Sequence, residues 1–198
     1  MMKATLFALF AGLLMVGCGE DAIDIVDGRK LEKRNGVMYL PNEETPFTGR
    51  AEESSNGHKL SEGNYKEGKL HGLVTTWYEN GHKMTEGNYK YGEPHGVHTF
   101  WRNNGQKEEE INYKNGEYDG LWTSWNENGK KMWARNWKDG KLNGVSTRWH
   151  ENGEKSDKIN FKDGEEDGLW IVYNLDGTES RRITYKDGKL VKYNPPRP

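Results

Sequence analysis

The feature that most constrains the fold of this chain is a repeat of 24 residues. A turn-forming dipeptide recurs in register at Asn56-Gly57, Asn80-Gly81, Asn104-Gly105, Asn128-Gly129, Asn152-Gly153 and Asp176-Gly177. A second glycine recurs at the same spacing, at Gly68, Gly92, Gly116, Gly140, Gly164 and Gly188. Each unit of such an array buries its apolar face against its neighbours, so the period predicts an extended stack of like units. Six like units also argue against an enzyme, because catalysis requires one cluster of unlike residues.

The composition fits a thin structure better than one with a large core. Only 32% of the 198 residues are hydrophobic and the mean hydropathy is -1.08, yet aromatic residues make up 12%. Disordered chains are poor in aromatic residues, so we expect a folded stripe of rings. The net charge of -2 comes from interspersed charges of both signs. It gives no basic footprint for a nucleic acid, and we predict no nucleic-acid partner.

A single repeat predicts a β-hairpin. Leu73–Tyr78 is rich in β-branched and aromatic residues, which favour a strand. Asn80-Gly81 tolerates the positive φ of a tight turn, and Lys83–Lys90 predicts the return strand. The segment Tyr91–Gly96 then predicts a turn into the next unit. Residues 49–190 would therefore form six hairpins in an all-β, elongated, single-layer antiparallel meander.

The two-residue period of a strand predicts two aromatic columns along the array, both assigned to its core. The first-strand column comprises Trp77, Trp101, Trp125, Trp149 and Tyr173. The return-strand column comprises Tyr65, Tyr89, Tyr113, Trp137, Phe161 and Tyr185. A row of asparagines is predicted to bridge adjacent strands as buried amides, with solvent exposure as the alternative: Asn64, Asn88, Asn112, Asn136 and Asn160.

Four side chains depart from the repeat and form the candidate binding surface: His98, Trp122, Trp133 and Trp170. Three of them share one place in the unit, which is predicted to lie on the face opposite the aromatic columns. Exposed rings provide contact area at a low cost in entropy, which favours binding. The alternative is additional packing within a twisted sheet.

Both ends of the array differ from its repeats. Residues 29–48 contain a hairpin signal at Asn35-Gly36 and predict an N-terminal cap, because arrays need atypical end units. Residues 191–198 predict a C-terminal tail. This tail ends in Pro195-Pro196 and a further proline, and proline cannot extend a sheet edge by pairing.

The N-terminus carries a targeting signal. A basic start precedes an apolar run of 13 residues, Ala4–Val16. A helix needs about 20 residues to cross a bilayer, so residues 1–17 predict a signal peptide instead. The run ends at the single cysteine, Cys18, and resembles a bacterial lipoprotein lipobox. The resemblance implies that Cys18 is acylated. The stretch Glu20–Asp27 is acidic and has no recurring pattern, so residues 18–28 predict an acylated cysteine followed by a tether.

The residue after this cysteine bears on the destination. In bacterial lipoproteins an aspartate at that place retains the protein at the inner membrane, whereas this chain has Gly19. The resemblance therefore implies an outer-membrane lipoprotein. A plain signal peptide with an incidental cysteine is the alternative.

The repeat also resembles a known family. The string Glu62–Leu73, continued by Trp77–Gly81, is similar to the bacterial MORN-repeat variant, and the likeness covers about residues 49–190. The resemblance implies an elongated, twisted, single-layer sheet of hairpins. Related bacterial proteins are often labelled antitoxins, and MORN arrays elsewhere are linked to scaffolding, dimerisation and membrane proximity. A cytoplasmic toxin would not meet an exported protein, whereas an envelope-acting toxin could.

Two motifs suggest chemistry that the repeat explains otherwise. Gly63–Lys69 fits the first seven positions of a phosphate-binding P-loop, but Leu70 stands where Ser or Thr is needed. His71 and His95 suggest a metal, but the same place holds Asp119, Asn143 and Asp167 in later units. A place that accepts Asn and Asp equally is typical of a turn cap. We therefore predict no metal, no cofactor and no catalytic residue.

Together these patterns predict a non-enzymatic scaffold or interaction module in the bacterial cell envelope, attached to the membrane through its lipid anchor only. Its partner would be another protein or an envelope polymer. Two alternatives remain open: an antitoxin or immunity-type protein that neutralises a partner toxin, and a glycan-binding protein that uses aromatic platforms.

Overall fold

A computed structural model describes residues 25–195, which are nearly all β. The predicted signal peptide (1–17) and Cys18 lie outside the described residues. One turn of 3-10 helix, Gly28–Lys30, is present in the described range. The strands are β1 (Ile25–Asp27), β2 (Glu32–Arg34), β3 (Val37–Tyr39), β4 (Gly49–Ser55), β5 (His58–Lys66), β6 (Lys69–Trp77), β7 (Lys83–Lys90), β8 (Glu93–Trp101), β9 (Lys107–Lys114), β10 (Glu117–Trp125), β11 (Lys131–Lys138), β12 (Lys141–Trp149), β13 (Lys155–Lys162), β14 (Glu165–Tyr173), β15 (Glu179–Lys186) and β16 (Lys189–Asn194).

Fourteen of these strands form one open sheet. From β4 to β16 each strand pairs antiparallel with the next in the chain, and β1 adds a parallel strand at the N-terminal edge. The remaining two strands, β2 and β3, form a separate hairpin. The prediction of an all-β, single-layer meander of hairpins is confirmed.

Two kinds of turn alternate along the sheet. The β5–β6 turn consists of Glu67 and Gly68 alone, with φ of 51° and 73°. Both residues are left-handed, as a type I′ hairpin turn requires. The equivalent turn after β7 is Tyr91-Gly92, and β8 begins at once with Glu93–Trp101. The prediction of a six-residue turn over Tyr91–Gly96 is therefore wrong, because two residues suffice when both adopt positive φ.

Replacing Glu67 with asparagine should stabilise the first of these turns. A left-handed conformation is costly for most residues, whereas asparagine tolerates it. We expect the free energy of unfolding to rise by up to about 1 kcal/mol, measured by urea denaturation. The control is Glu93→Asn in extended β8, which should give no gain. Equal gains from both variants would contradict this explanation.

Each long hairpin bends near its type I′ tip. Tyr65 pairs with Leu70 and Gly63 pairs with Val74, so three residues of β6 stand opposite Asn64 alone. The Asn64 Nδ2 fills this irregularity by donating to the Leu73 carbonyl at 3.2 Å. Asn112 and Asn136 make the same bond, each at 2.6 Å, to Leu121 and Val145. These three asparagines bridge adjacent strands, but they bond to the backbone and not to one another. All five asparagines of the row are half-buried or exposed, so the prediction of buried amides is wrong.

Hydrogen bonds also join successive tips. The Gly92 N–H donates to the Leu70 carbonyl at 2.8 Å, and the later type I′ glycines repeat this bond. At the N-terminal end, the Gly68 N–H donates to the Phe47 carbonyl at 2.7 Å. The Phe47 carbonyl thus accepts the same hydrogen bond at the first tip that the Leu70 carbonyl accepts at the second. The Phe47 side chain is buried. The segment before β4 therefore covers the first tip with a copy of the contact between repeats.

The sheet has two different faces. The inner face carries the row that includes Val74 and Gly87, which pair directly across β6 and β7. The outer face carries the first-strand column with Trp77. Tyr118 and Trp122 show that the tips bend towards the inner face, because their ring centroids lie 4.8 Å apart. Four residues of a straight strand would separate them by about 13 Å.

This register corrects one prediction. The return-strand column shares the inner face with the row of Val74, while the first-strand column lies on the outer face. The two aromatic columns therefore lie on opposite faces and not on one. Their rings are all half-buried, as expected for a single layer whose faces are covered only by their own side chains.

Candidate binding face

A continuous row of paired residues crosses the middle of the inner face. From β4 to β16 it reads Ala51, Gly63, Val74, Gly87, His98, Ile111, Trp122, Arg135, Ser146, Ile159, Trp170, Ile183 and Tyr193. Three of the four candidate binding residues lie in this row, and Trp133 lies in the next row, where it pairs with Arg148. The prediction that the three residues of the row lie opposite both columns is wrong, because they share a face with the return-strand column.

His98 is packed inside this face. It is only 5% exposed, and its ring lies between Tyr89 and Tyr113 with both centroid distances at 5.0 Å. Its Nε2 lies 2.7 Å from the Asn88 carbonyl, which can accept a hydrogen bond from it. Burial lowers the pKa of His98, an effect that the Asn88 carbonyl partly offsets. These contacts assign His98 to the packing between repeats.

His98 should make the stability of the array depend on pH. Because its pKa is lowered in the folded state, the unfolded chain binds the proton more readily. Stability is therefore fully present above the unfolded pKa of about 6.5 and falls as pH decreases towards the folded pKa. We expect His98→Val, which copies Val74, to flatten the change in Tm between pH 8 and 5. The exposed His58, changed to Asn, is the control and should leave the profile unchanged.

Trp122 lies at the centre of an aromatic cluster. Its ring centroid lies 4.8 Å from Tyr118, 5.0 Å from Trp133 and 5.9 Å from Trp137. The structure thus brings together Trp122 and Trp133, whereas Trp170 lies further along the row and packs against Tyr185 at 6.2 Å. Aromatic pairs at these distances stabilise a fold beyond the area that they bury.

Charged groups adjoin this cluster. Burial raises the pKa of Glu109, and the neighbouring negative charge of Glu108 raises it further. Arg148 lies 3.0 Å from Asp157, while the Arg135 guanidinium lies 4.5 Å from the centre of the Trp133 ring. Residues 25–195 contain no group of three or more His, Cys, Asp or Glu that could hold a metal ion. In the same range, no helix is long and apolar enough to cross a membrane.

The outer face carries a pattern that sequence reasoning missed. A lysine Nζ lies 5.4 to 5.8 Å from the ring centre in four pairs: Lys59 with Trp77, Lys83 with Trp101, Lys107 with Trp125, and Lys131 with Trp149. Each lysine precedes its tryptophan by 18 residues, a constant spacing that the sequence already contains. The first three also pair with the glutamate three residues later: Glu62, Glu86 and Glu110. These lysines cover rings that would otherwise be exposed.

Comparison with known proteins agrees with this architecture. A search of curated proteins gave no match. Residues 70–91, 94–115 and 142–163 each match the family model described as MORN repeat variant. Such repeats form scaffolds for protein or membrane interaction and are not a known family of enzymes. The chain is therefore a repeat protein whose hairpins match the MORN repeat variant in three segments.

Proposed function

We propose that this protein is a non-enzymatic interaction module that recognises a partner protein with its inner face and is held in the bacterial envelope by a lipid on Cys18. One observation carries the choice of face. The inner row changes from one repeat to the next, with Trp122, Ser146 and Trp170 at one place, whereas the outer face repeats its lysine–tryptophan pairs. A partner can bind one specific region of a repetitive array only if the repeats differ from one another in that region.

Photo-crosslinking in intact cells tests the choice of face. Trp133 on the inner face is replaced by p-benzoylphenylalanine, which keeps an aromatic ring at this half-buried place. The matched control carries the same replacement at Trp125, a half-buried ring of the outer face. We expect a discrete crosslinked protein from the Trp133 variant alone. A crosslink to polysaccharide would indicate glycan binding and refute recognition of a partner protein. Equal products from the Trp133 and Trp125 variants would overturn the choice of face.

The anchor has a separate test. Cys18→Ser removes the thiol that acylation needs, so the variant should move from the membrane fraction to the soluble fraction of the cell. Metabolic labelling with an alkyne fatty acid should mark the unaltered protein and not the variant. If the protein with Cys18 carries no label and is already found in the soluble fraction, the lipid anchor is refuted. That result would not affect the proposal of an interaction module.

A further inference from the structure

A gap interrupts the inner row at Ser146. The equivalent places hold Val74, His98, Trp122 and Trp170, all larger side chains. Ser146 is 7% exposed and lies at the bottom of an open bowl of about 260 Å³. The bowl is lined by Arg135, Arg148 and Glu166 and by the apolar Ile159, Phe161 and Trp170. Its volume is below the usual range for drug-sized ligands and suits a single side chain.

The repeat indicates what kind of group fits this gap. At the equivalent place, His98 inserts its ring between Tyr89 and Tyr113. Around Ser146, the rings that line the bowl are Phe161 and Trp170, whereas Trp137 packs against Tyr118 and Trp122. Aromatic neighbours for an inserted ring are thus present, while the chain itself supplies no ring at this place. Aromatic groups prefer such edge-to-face and offset neighbours.

A cation lines the same bowl without an acidic partner. Arg135 pairs with Ser146 across the strands and stands where other repeats have Ile111, Ile159 and Ile183. Its guanidinium lies over the Trp133 ring and forms no ion pair with any carboxylate of residues 25–195. The neighbouring Arg148, in contrast, is neutralised by Asp157 at 3.0 Å. A guanidinium held on an aromatic face remains able to bind a carboxylate with two parallel hydrogen bonds.

We propose that the bowl at Ser146 binds an aromatic side chain of a partner polypeptide whose carboxylate pairs with Arg135. This inference rests on the proposed function and names the chemistry of the partner. A C-terminal phenylalanine or tyrosine carries both groups on one residue, and an internal aromatic residue followed by aspartate carries them on two. Glu166 lines the bowl as well and can accept an N–H of the bound peptide.

Short peptides separate these contributions. The probes are acetyl-Ala-Ala-Phe with a free C-terminus, the same peptide as an amide, and acetyl-Ala-Phe-Asp-Ala amide. Binding to the full-length protein in detergent micelles is followed by the amide chemical shifts of Ser146 and Trp170. We expect the free acid to bind at least about tenfold more tightly than the amide, because a hydrogen bond to a charged group is among the stronger ones. Preference for the aspartate peptide would assign the carboxylate to an internal residue.

Variants copied from neighbouring repeats test the site itself. Ser146→Trp, which copies Trp122 and Trp170, should fill the bowl and abolish binding of every probe. Arg135→Ile, which copies Ile111 and Ile159, should weaken the carboxylate probes about tenfold and leave the amide unchanged. The control is Arg181→Ile, which removes an exposed inner-face arginine beside Val172 and away from the bowl.

Unchanged binding in Ser146→Trp, or equal losses from Arg135→Ile and Arg181→Ile, would overturn the assignment of this bowl. No saturable shift at Ser146 with any probe would overturn it too. These results would leave the proposed function standing if the Trp133 crosslink still forms. Absence of that crosslink when Trp133 is the only residue replaced would instead refute the proposed function.

Discussion

Gly87→Ala is expected to lower the free energy of unfolding by about 2 kcal/mol, the usual range for overpacking. A Cβ at Gly87 would lie 2.3 Å from Nδ1 of His98, and two more ring atoms lie within 2.5 Å. The ring cannot move away freely, because it lies between Tyr89 and Tyr113 and contacts the Asn88 carbonyl. The loss would be measured by urea denaturation.

A second substitution should rescue this variant. His98→Ser, which copies Ser146, removes the ring that the new methyl group meets, so the alanine should cost much less in the double variant. The control is Gly63→Ala in the preceding repeat, where the nearest atom is Leu70 Cδ2 at 3.2 Å. Neither glycine has a positive φ, so the comparison isolates packing from backbone strain. Equal losses from both single variants would refute a special contact between Gly87 and His98.

The period and the turn residues were sufficient to predict the strands but not their faces. Alternation within one strand is visible in the sequence, and so is the hairpin. Thr76 pairs with Thr85, whereas Trp77 pairs with Lys83, so one extra residue is accommodated next to the Asn80-Gly81 turn. A shift of one residue exchanges the faces of every pair beyond it. If the Asn80-Gly81 hairpin had no extra residue, the pairing Trp77–Lys83 would continue to Leu73–Gly87. In the structure, Gly87 pairs with Val74 instead.

The candidate site was predictable only in part, for a related reason. Surplus rings such as Trp122 and Trp170 stand out in an alignment of the repeats, so sequence reasoning finds them. The serine at position 146 is less conspicuous in such an alignment. It indicates a cavity only when the residues around it are known. Only the register across β11 and β12 places Arg135 beside Ser146. Burial of His98 likewise depends on Gly87, which lies in the previous strand.

Trp122→Ser is expected to give the largest loss of stability, about 3 kcal/mol, the low end of the range for removing a tryptophan, because the ring is half-buried. The ring contacts Tyr118, Trp133 and Trp137, so its removal loosens the packing of β10 against β11. Repeats contact only their neighbours, so the damage should remain local. Hydrogen exchange should therefore quicken around residues 109–137, while residues 49–87 keep their protection.

The design of this variant separates packing from backbone effects. The array already holds Ser146 at the equivalent place, so serine is compatible with the backbone and the loss reports the missing ring. The matched control is Trp149→Ser on the outer face, where the ring is covered by the Lys131 side chain and by no other ring within the described residues. We expect it to cost less than half as much, since a lysine stem covers less apolar surface than three rings. Equal losses would mean that the two faces stabilise the sheet alike, and the inner cluster would then have no special role in holding adjacent repeats together.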